Sequence, residues 1–419
     1  MLKRLERLSA GLLAGQRRRP ARRDRTERGR WPIRCYGPPL VSDLKRIVLL
    51  RGLSAAPWDL RPHERLGPGF AVSVLVARDN LYSTDTLALE RSPVRTVSGL
   101  LPPGAVRTLG TRLVGERFLG LESRLRGADV VHVAELGNWY SAQAARLKQR
   151  LGFALVVTAW ETLPLRDSYR NLRTRPYARA VLAAGDRFLA TTERARDALL
   201  LEGAPAQRTI VCPPGIALER FAAARTADVA ADGSHLIVSA GRLVWEKGHQ
   251  DVLRAMAMLR AQGREDVRAL ILGDGPERAR LQALVADFGL QDVVQLRASV
   301  PYDEIVGIYA QASCLVLASM PTRYWEEQFG MVLAEAMAAH LPVLASTSGA
   351  IPEVLGTSGR YFAPGDWVGL ARALAEGPLA TAPGARRAPA PEQLERFSAD
   401  AAAARLRHVY DELLSERAG

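Results

Sequence analysis

The chain has 419 residues, 48% of them apolar and 24% charged, a composition that excludes both a disordered chain and a single small domain. Two domains, and a cleft between them, are the expectation for this length. The formal charge of +13 is unevenly placed: residues 1–46 hold 14 Lys or Arg against four Asp or Glu, a net +10, so the rest is nearly neutral, and no nucleic-acid-binding module is recognisable.

Within that tail, Leu2, Leu5, Leu8, Leu12 and Leu13 fall near helical spacing beside Lys3, Arg4 and Arg7, ahead of Arg17, Arg18 and Arg19. The segment reads either as a solvated basic tail or as an amphipathic anchor. In the second case each basic residue near an anionic membrane contributes about 1 kcal/mol, enough for peripheral contact. The apolar run from Leu8 to Gly15 is short and is followed by arginines, which argues against a secretory signal, and no later run approaches a membrane span. Cys35, Cys212 and Cys314 are odd in number, widely spaced and without a C-x-x-C pair, so neither a disulfide framework nor a zinc site is expected. A cytoplasmic protein, with peripheral contact at the inner face of the plasma membrane through the tail, is the expectation.

From residue 47 onward short β-rich runs alternate with amphipathic stretches, the pattern of βαβ units around parallel sheets. The first half gives strands at 46–50, 71–77, 130–134, 154–160 and 187–191, with helices over 137–151 and 169–184. The proline- and alanine-rich run 203–235 reads as a linker. The alternation then restarts with strands at 235–241, 268–275, 293–298, 314–319 and 342–346, and helices over 248–262, 276–288 and from about 330. The implied division is a tail at 1–46, a first domain at 47–225, a second at 226–385 and a terminal helical segment at 386–419.

In open parallel sheets ligands bind beyond the carboxyl ends of the strands, so residues following strand ends carry the chemistry. After HLIVSAG comes GRLVWEKG, which places Arg242 and Lys247 at a strand end and a helix start, a receptor for a diphosphate. After RALILGDG, Gly273 and Gly275 permit close backbone approach, with Asp274 and Pro276 opening the helix. WEEQFGMVLAEAMA then carries Glu327 and Glu335 with seven residues between them and Gly330 near a helix start, and two carboxylates suit a hydroxyl-rich ligand. A D-x-D motif of the kind that holds Mg²⁺ on a diphosphate is not found.

Gly241–Arg242 with Lys247–Gly248, then GDGP, then Glu327-x7-Glu335 in EQFGMVLAEAMA, then PVLAS and SGAIPEV, resembles in order and spacing the donor domain of retaining family 4 glycosyltransferases. The resemblance is strong over 235–370 and general elsewhere. It implies a GT-B fold: α/β, two Rossmann-like doubly wound domains facing a cleft, with the C-terminal helix crossing back to the first. It also implies a metal-independent retaining hexosyltransferase using a UDP- or GDP-sugar and no cofactor. By the same resemblance, Arg242 and Lys247 hold the diphosphate, Glu335 the ribose, and Glu327 with the backbone of Phe329, Gly330, Met331 and Val332 the transferred sugar, with Gly241, Gly273 and Gly275 lining the donor.

The first half departs from the family pattern. Its glycine-rich turn is reduced to Gly52, followed by Trp58, Asp59 and Arg61, and Trp160–Glu161–Thr162 stands where relatives carry a His. The acceptor-side candidates are Gly52, Trp58, His132, Glu135 and Glu161, for a glycan, lipid-linked or small-molecule acceptor. Two other readings stand beside this one: a non-catalytic sugar-nucleotide-binding subunit of an assembly, and a nucleic-acid-binding protein.

Overall fold

The structure, a computed structural model, describes residues 44–80, 82–102, 104–115, 117–166, 174–225 and 233–418. The basic tail to residue 43, including Cys35, lies outside the described residues, as does the first part of the helix expected at 169–184.

Thirteen strands form two fully parallel sheets among the described residues. The first contains β1 (Lys45–Leu50), β2 (Phe70–Ala77), β3 (Glu90–Val94), β4 (Val130–Ala134), β5 (Ala154–Ala159), β6 (Arg187–Ala190) and β7 (Thr209–Val211), in the order β3-β2-β1-β4-β5-β6-β7. The second contains β8 (His235–Ala240), β9 (Val267–Leu272), β10 (Val294–Arg297), β11 (Cys314–Leu317), β12 (Val343–Ser346) and β13 (Arg360–Phe362), ordered β10-β9-β8-β11-β12-β13. In each sheet the order reverses beside the first strand, and that switch point opens the crevice where ligands bind.

Both sheets are covered on both faces, which explains their continuous apolar strands. In β1, Val48 and Leu50 point into one core with Val131 and Val157, while Ile47 and Leu49 point into the other with Val74 and Val130. In the second sheet Val238 and Ile237 divide likewise. Cys314 is fully buried in β11 and serves as core packing.

Three strands have no counterpart among those expected from the sequence, and all are edge strands. β3 is ERSPV, β7 is TIV and β13 is RYF: short, partly polar, and in one case carrying Pro93. Such sequences suit an edge, where one side needs no ladder partner, and their pattern is correspondingly weak. The linker expected over 203–235 is a misreading for the same reason, since it contains β7. Its next part, the 3₁₀ segment Leu218–Arg225, packs Phe221 and Ala224 into the second core. The chain therefore crosses between domains near 212–216, earlier than composition implies.

It crosses back beside the same place. Ile216 N–H donates to Phe397 O at 2.8 Å and Ala399 N–H to Ile216 O at 2.8 Å, so the outgoing and returning strands are bonded to each other. The approach requires glycine at 215, where a Cβ would lie 2.7 Å from the Ser398 carbonyl oxygen. Leu394 and Phe397 still belong to the second core, and only the helix Ala399–Ala418 returns to the first sheet. There Leu406, Val409, Tyr410 and Leu413, at one-face helical spacing, close the core over Ile47, Leu49 and Val74.

Tyr410 Oη lies 2.6 Å from His132 Nδ1, and Thr158 Oγ1 lies 2.7 Å from His132 Nε2. His132 is 1% exposed, so this corrects its expected acceptor role: it is a buried strand histidine with both nitrogens engaged under the terminal helix. Tyr410→Phe leaves one of those nitrogens buried and unpartnered, and is expected to lower stability in urea unfolding by about 1–3 kcal/mol, the cost of an unmade buried hydrogen bond.

Candidate active site

The loops after β8, β11 and β12 converge on one residue, Glu327. Lys247 ends the 3₁₀ turn Trp245–Lys247, and its Nζ lies 2.7 and 3.0 Å from the two oxygens of Glu327. Ser319, just past β11, donates to Glu327 at 2.6 Å, and the Glu327 N–H reaches Ser348 Oγ, past β12, at 3.4 Å. The Lys247 ammonium also sits 5.0 Å from the centre of the Trp325 ring. The paired side chains are 15% and 7% exposed, so water screens them little.

Arg242, two residues after β8, is exposed, and its guanidinium has no partner among the described residues. An unpaired arginine beside a lysine already neutralised by glutamate leaves one uncompensated positive charge at the strand ends.

Gly273 and Gly275 act first on the protein itself. A Cβ on Gly273, whose φ is +148°, would lie 1.8 Å from the Gly241 carbonyl oxygen, and one on Gly275 would lie 2.3 Å from that of Leu243. They let the β9 loop close against the Arg242 loop and so fix its path. Asp274 does not open the next helix: it accepts from the Ser299 N–H and hydroxyl, and the helix begins at Arg278.

Gly330, in the left-handed region at φ +79°, is the N-cap of the helix Met331–Ala338, whose first amides lack intrahelical partners. Phe329 packs its ring against Trp160 at 6.1 Å and Phe397 at 5.4 Å, while Met331 and Val332 are half-buried. Glu335 lies farther along this helix in different company. It is 6% exposed and accepts from Tyr309 Oη at 3.3 Å. Burial pushes its carboxyl up from the ordinary 4.5 to about 7, against the opposing hydrogen bonds of Tyr302 and Tyr309 and the charge of Arg220. The two glutamates of the motif are thus an ionised partner of Lys247 and a tyrosine-bound carboxyl that titrates near neutrality.

The halves meet beside Glu327. Arg194 grips Glu326 with two bonds of 2.5 and 2.8 Å, and Glu353 accepts from the N–H of Glu193 at 2.9 Å, at the start of the helix Glu193–Glu202. Trp160 is used for packing across this seam. Of the first-half candidates, Gly52 turns the chain after β1 with φ +61°, and Trp58 packs edge-on against Tyr82. Glu135 and Glu161 both line a cavity of about 440 Å³ at the ends of β4 and β5. Glu161 accepts from the N–H groups of Thr162 and Leu163 and pairs with Arg166. Trp139 and Tyr140 are packing residues, the first against Tyr177 and the second in the core.

Ser319, Trp325, Gln328 and Arg194 escaped the sequence reading. Ser319, two residues past a strand, and Trp325 and Gln328, which flank Glu327 in the sequence, had a signal; Arg194 is joined to the site only by tertiary structure.

Two consequences are measurable. Lys247→Met strands a buried carboxylate and is expected to cost about 3–5 kcal/mol in urea unfolding, most of which Lys247→Met/Glu327→Gln restores. For Glu335 the folded pKa lies above the unfolded one, so the native state binds its proton more tightly; the stability this confers is full below about 4.5 and is lost as pH rises to about 7. Between pH 4.5 and 8 the wild type is expected to lose about 3 kcal/mol relative to Glu335→Gln, read from paired urea titrations.

Both halves of the chain resemble known proteins. The family profile "Glycosyl transferases group 1" matches residues 222–376, and "Glycosyl transferase 4-like domain" matches residues 64–215. A D-inositol 3-phosphate glycosyltransferase of Thermobispora bispora is 31% identical over 68% of this chain and 71% of its own length. A 2-deoxystreptamine glucosyltransferase of Streptomyces kanamyceticus is 33% identical over 43% of this chain, a match spanning about half (48%) of that relative. Among solved structures, Anabaena HepE in complex with UDP and glucose superposes with a TM-score of 0.67 at 16% identity, over 88% of this chain and 100% of that one. Sucrose-phosphate synthase of Thermosynechococcus elongatus gives 0.64 at 20%, over 89% and 100%. With two parallel Rossmann-like sheets, the terminal helix returning to the first, and these matches across both halves, the chain belongs to the group 1 glycosyltransferases and has their GT-B fold.

Proposed function

We propose that the protein is a retaining, metal-independent glycosyltransferase that moves a hexose from a UDP-sugar to a small polyol or glycan acceptor. The observation that carries this reading is the unpaired Arg242 beside the buried Lys247–Glu327 pair, at the switch point of the second sheet. The complexes of HepE with UDP and UDP-glucose support the choice of donor. The acceptors named for the relatives, D-inositol 3-phosphate and 2-deoxystreptamine, support a compact ring bearing hydroxyls.

In this reading the diphosphate lies on Arg242 and Lys247. The ammonium has three protons, so Lys247 keeps one bond to Glu327 and turns another to phosphate. The bond from the anomeric carbon to the diphosphate breaks, its electron pair leaving on phosphate, where the two fixed cations stabilise the charge as it develops. Glu327 and the amides of Gly330, Met331 and Val332 hold the sugar, and Glu335 the ribose hydroxyls. The acceptor oxygen bonds to the anomeric carbon on the face the diphosphate leaves, and its proton passes to the departing phosphate oxygen.

Calorimetric titration with UDP, GDP and their hexose conjugates tests the reading. UDP is expected to bind, and Arg242→Ala, which removes no internal contact among the described residues, to weaken it by about 10- to 100-fold, the worth of a charge-assisted phosphate contact. Slow hydrolysis of UDP-α-glucose followed by proton NMR should release α-glucose first. Binding of no nucleotide, or first release of the β-anomer, overturns the assignment.

A further inference from the structure

The segment 95–119, which follows β3, carries an apolar surface that the fold leaves uncovered. Its two ends form a ribbon: the Val97 N–H donates to Arg117 O and the Leu119 N–H to Arg95 O, both at 2.9 Å, around the bridged pair Thr96 and Phe118. Thr96 and Phe118 are buried, so alternation turns their neighbours outward, and Arg95, Arg117 and Leu119 are exposed. Between these ends the chain passes through the 3₁₀ turn Ser98–Leu100 into the helix Ala105–Val114.

That helix is amphipathic in the inverted sense. Arg107 and Thr111, one turn apart, are half-buried. Arg107 donates to Leu101 O at 3.1 and 3.0 Å and lies 3.8 Å from Asp79, in the turn after β2, so this polar face is the one laid on the domain. Val106 and Leu109 stand on the opposite side of the helix and are 57% and 58% exposed, and Leu100, in the turn before it, is 61% exposed. A surface helix normally buries its apolar stripe and wets its polar one. Here the apolar stripe has no cover among the described residues, and an uncovered apolar face rimmed by polar groups marks a docking surface.

Charge identifies what docks. Residues 95–119 hold four Arg against one Glu, a net +3, which is all of the net charge beyond residue 46. Arg95 has no partner among the described residues, and Arg117 lies 4.9 Å over the Trp139 ring with no described carboxylate beside it. A second copy of this chain would set these arginines against each other. Exposed aliphatic side chains flanked by unpaired cations instead match a surface that is anionic outside and apolar beneath, a bilayer with acidic headgroups. The location agrees, because β3 is parallel to its neighbours and the segment leaves the first sheet at its carboxyl end, the side on which the crevice opens.

We propose that the segment 95–119 is a membrane-docking surface, which lays Leu100, Val106 and Leu109 into the headgroup boundary of an anionic bilayer while Arg95 and Arg117 meet its phosphates. This contact is made by the folded first domain, and it therefore fixes which side of the molecule faces the lipid.

The test is co-sedimentation of the full chain with vesicles of phosphatidylcholine, alone or mixed with phosphatidylglycerol. The wild type is expected to bind the mixed vesicles and to bind phosphatidylcholine alone more weakly. Leu100→Gln/Val106→Gln/Leu109→Gln, all at exposed positions, is expected to weaken binding at least about tenfold, the worth of withdrawing three aliphatic side chains from lipid, with the midpoint of urea unfolding unchanged. Leu109→Trp, which adds an interfacial anchor, is expected to tighten it, and decides the matter alone should the triple variant unfold. No binding of the wild type to mixed vesicles, equal binding to both kinds, binding that survives the triple substitution, or no gain from Leu109→Trp overturns the proposal. Survival assigns the attachment to residues 1–43. A triple substitution that turns a dimer into a monomer in sedimentation equilibrium assigns the face to a second copy, and overturns the proposal as well.

Discussion

The Lys247–Glu327 pair is the contact on which the second domain's binding rim depends. A lysine and a glutamate removed from water are expensive singly and tolerable together, so loops from separate strands are obliged to meet wherever the pair forms. Ser319, past β11, donates to the same carboxylate, and Ser348, past β12, accepts from the Glu327 backbone N–H, which ties one further strand end to this residue. The glycines of the β9 loop complete the arrangement from outside, by letting a second loop lie against the carbonyls of Gly241 and Leu243. Under the proposed function, a rim fixed this way would need little rearrangement on binding a diphosphate, since preorganised charges stabilise a leaving group without reorganising.

The same loop carries the seam between domains. Glu326 takes Arg194, Glu327 takes Lys247, Gln328 lines the first-half cavity, and Phe329 meets Trp160, so four consecutive residues face four different tasks. This crowding gives a physical reason for tryptophan at 160. Trp160 packs edge-on against Phe329, which in turn packs on Phe397, an aromatic contact across the seam.

Most of this architecture was legible in the sequence because buried parallel strands are apolar throughout, and RIVLL, VVHVA and CLVLAS could be little else. The three edge strands were not, since an edge relaxes the demand for apolar, proline-free sequence. Arg242, Lys247, Glu327 and Glu335 were legible as a spaced set following strand ends. Their separation into a buried ion pair, a free guanidinium and a tyrosine-bound carboxyl was not, because it depends on Tyr302, Tyr309 and Ser319, whose spacing announces nothing. His132 misled for a related reason: a histidine at a strand end looks like a site residue until Tyr410, 278 positions away, is placed above it.

The terminal helix bears on how the protein comes into being. Ile47, Leu49 and Val74 are covered by residues of Ala399–Ala418, so the first domain, although translated first, leaves the ribosome with part of its core bare and keeps it so until the second domain has been made. Vectorial folding is thereby inverted: the second sheet needs none of this helix and can close early, while the first waits for residues 399–418 to be made. During that interval the apolar flank of β1 is open to chaperones and to other nascent chains, and the speed of elongation through the second half sets how long the exposure lasts.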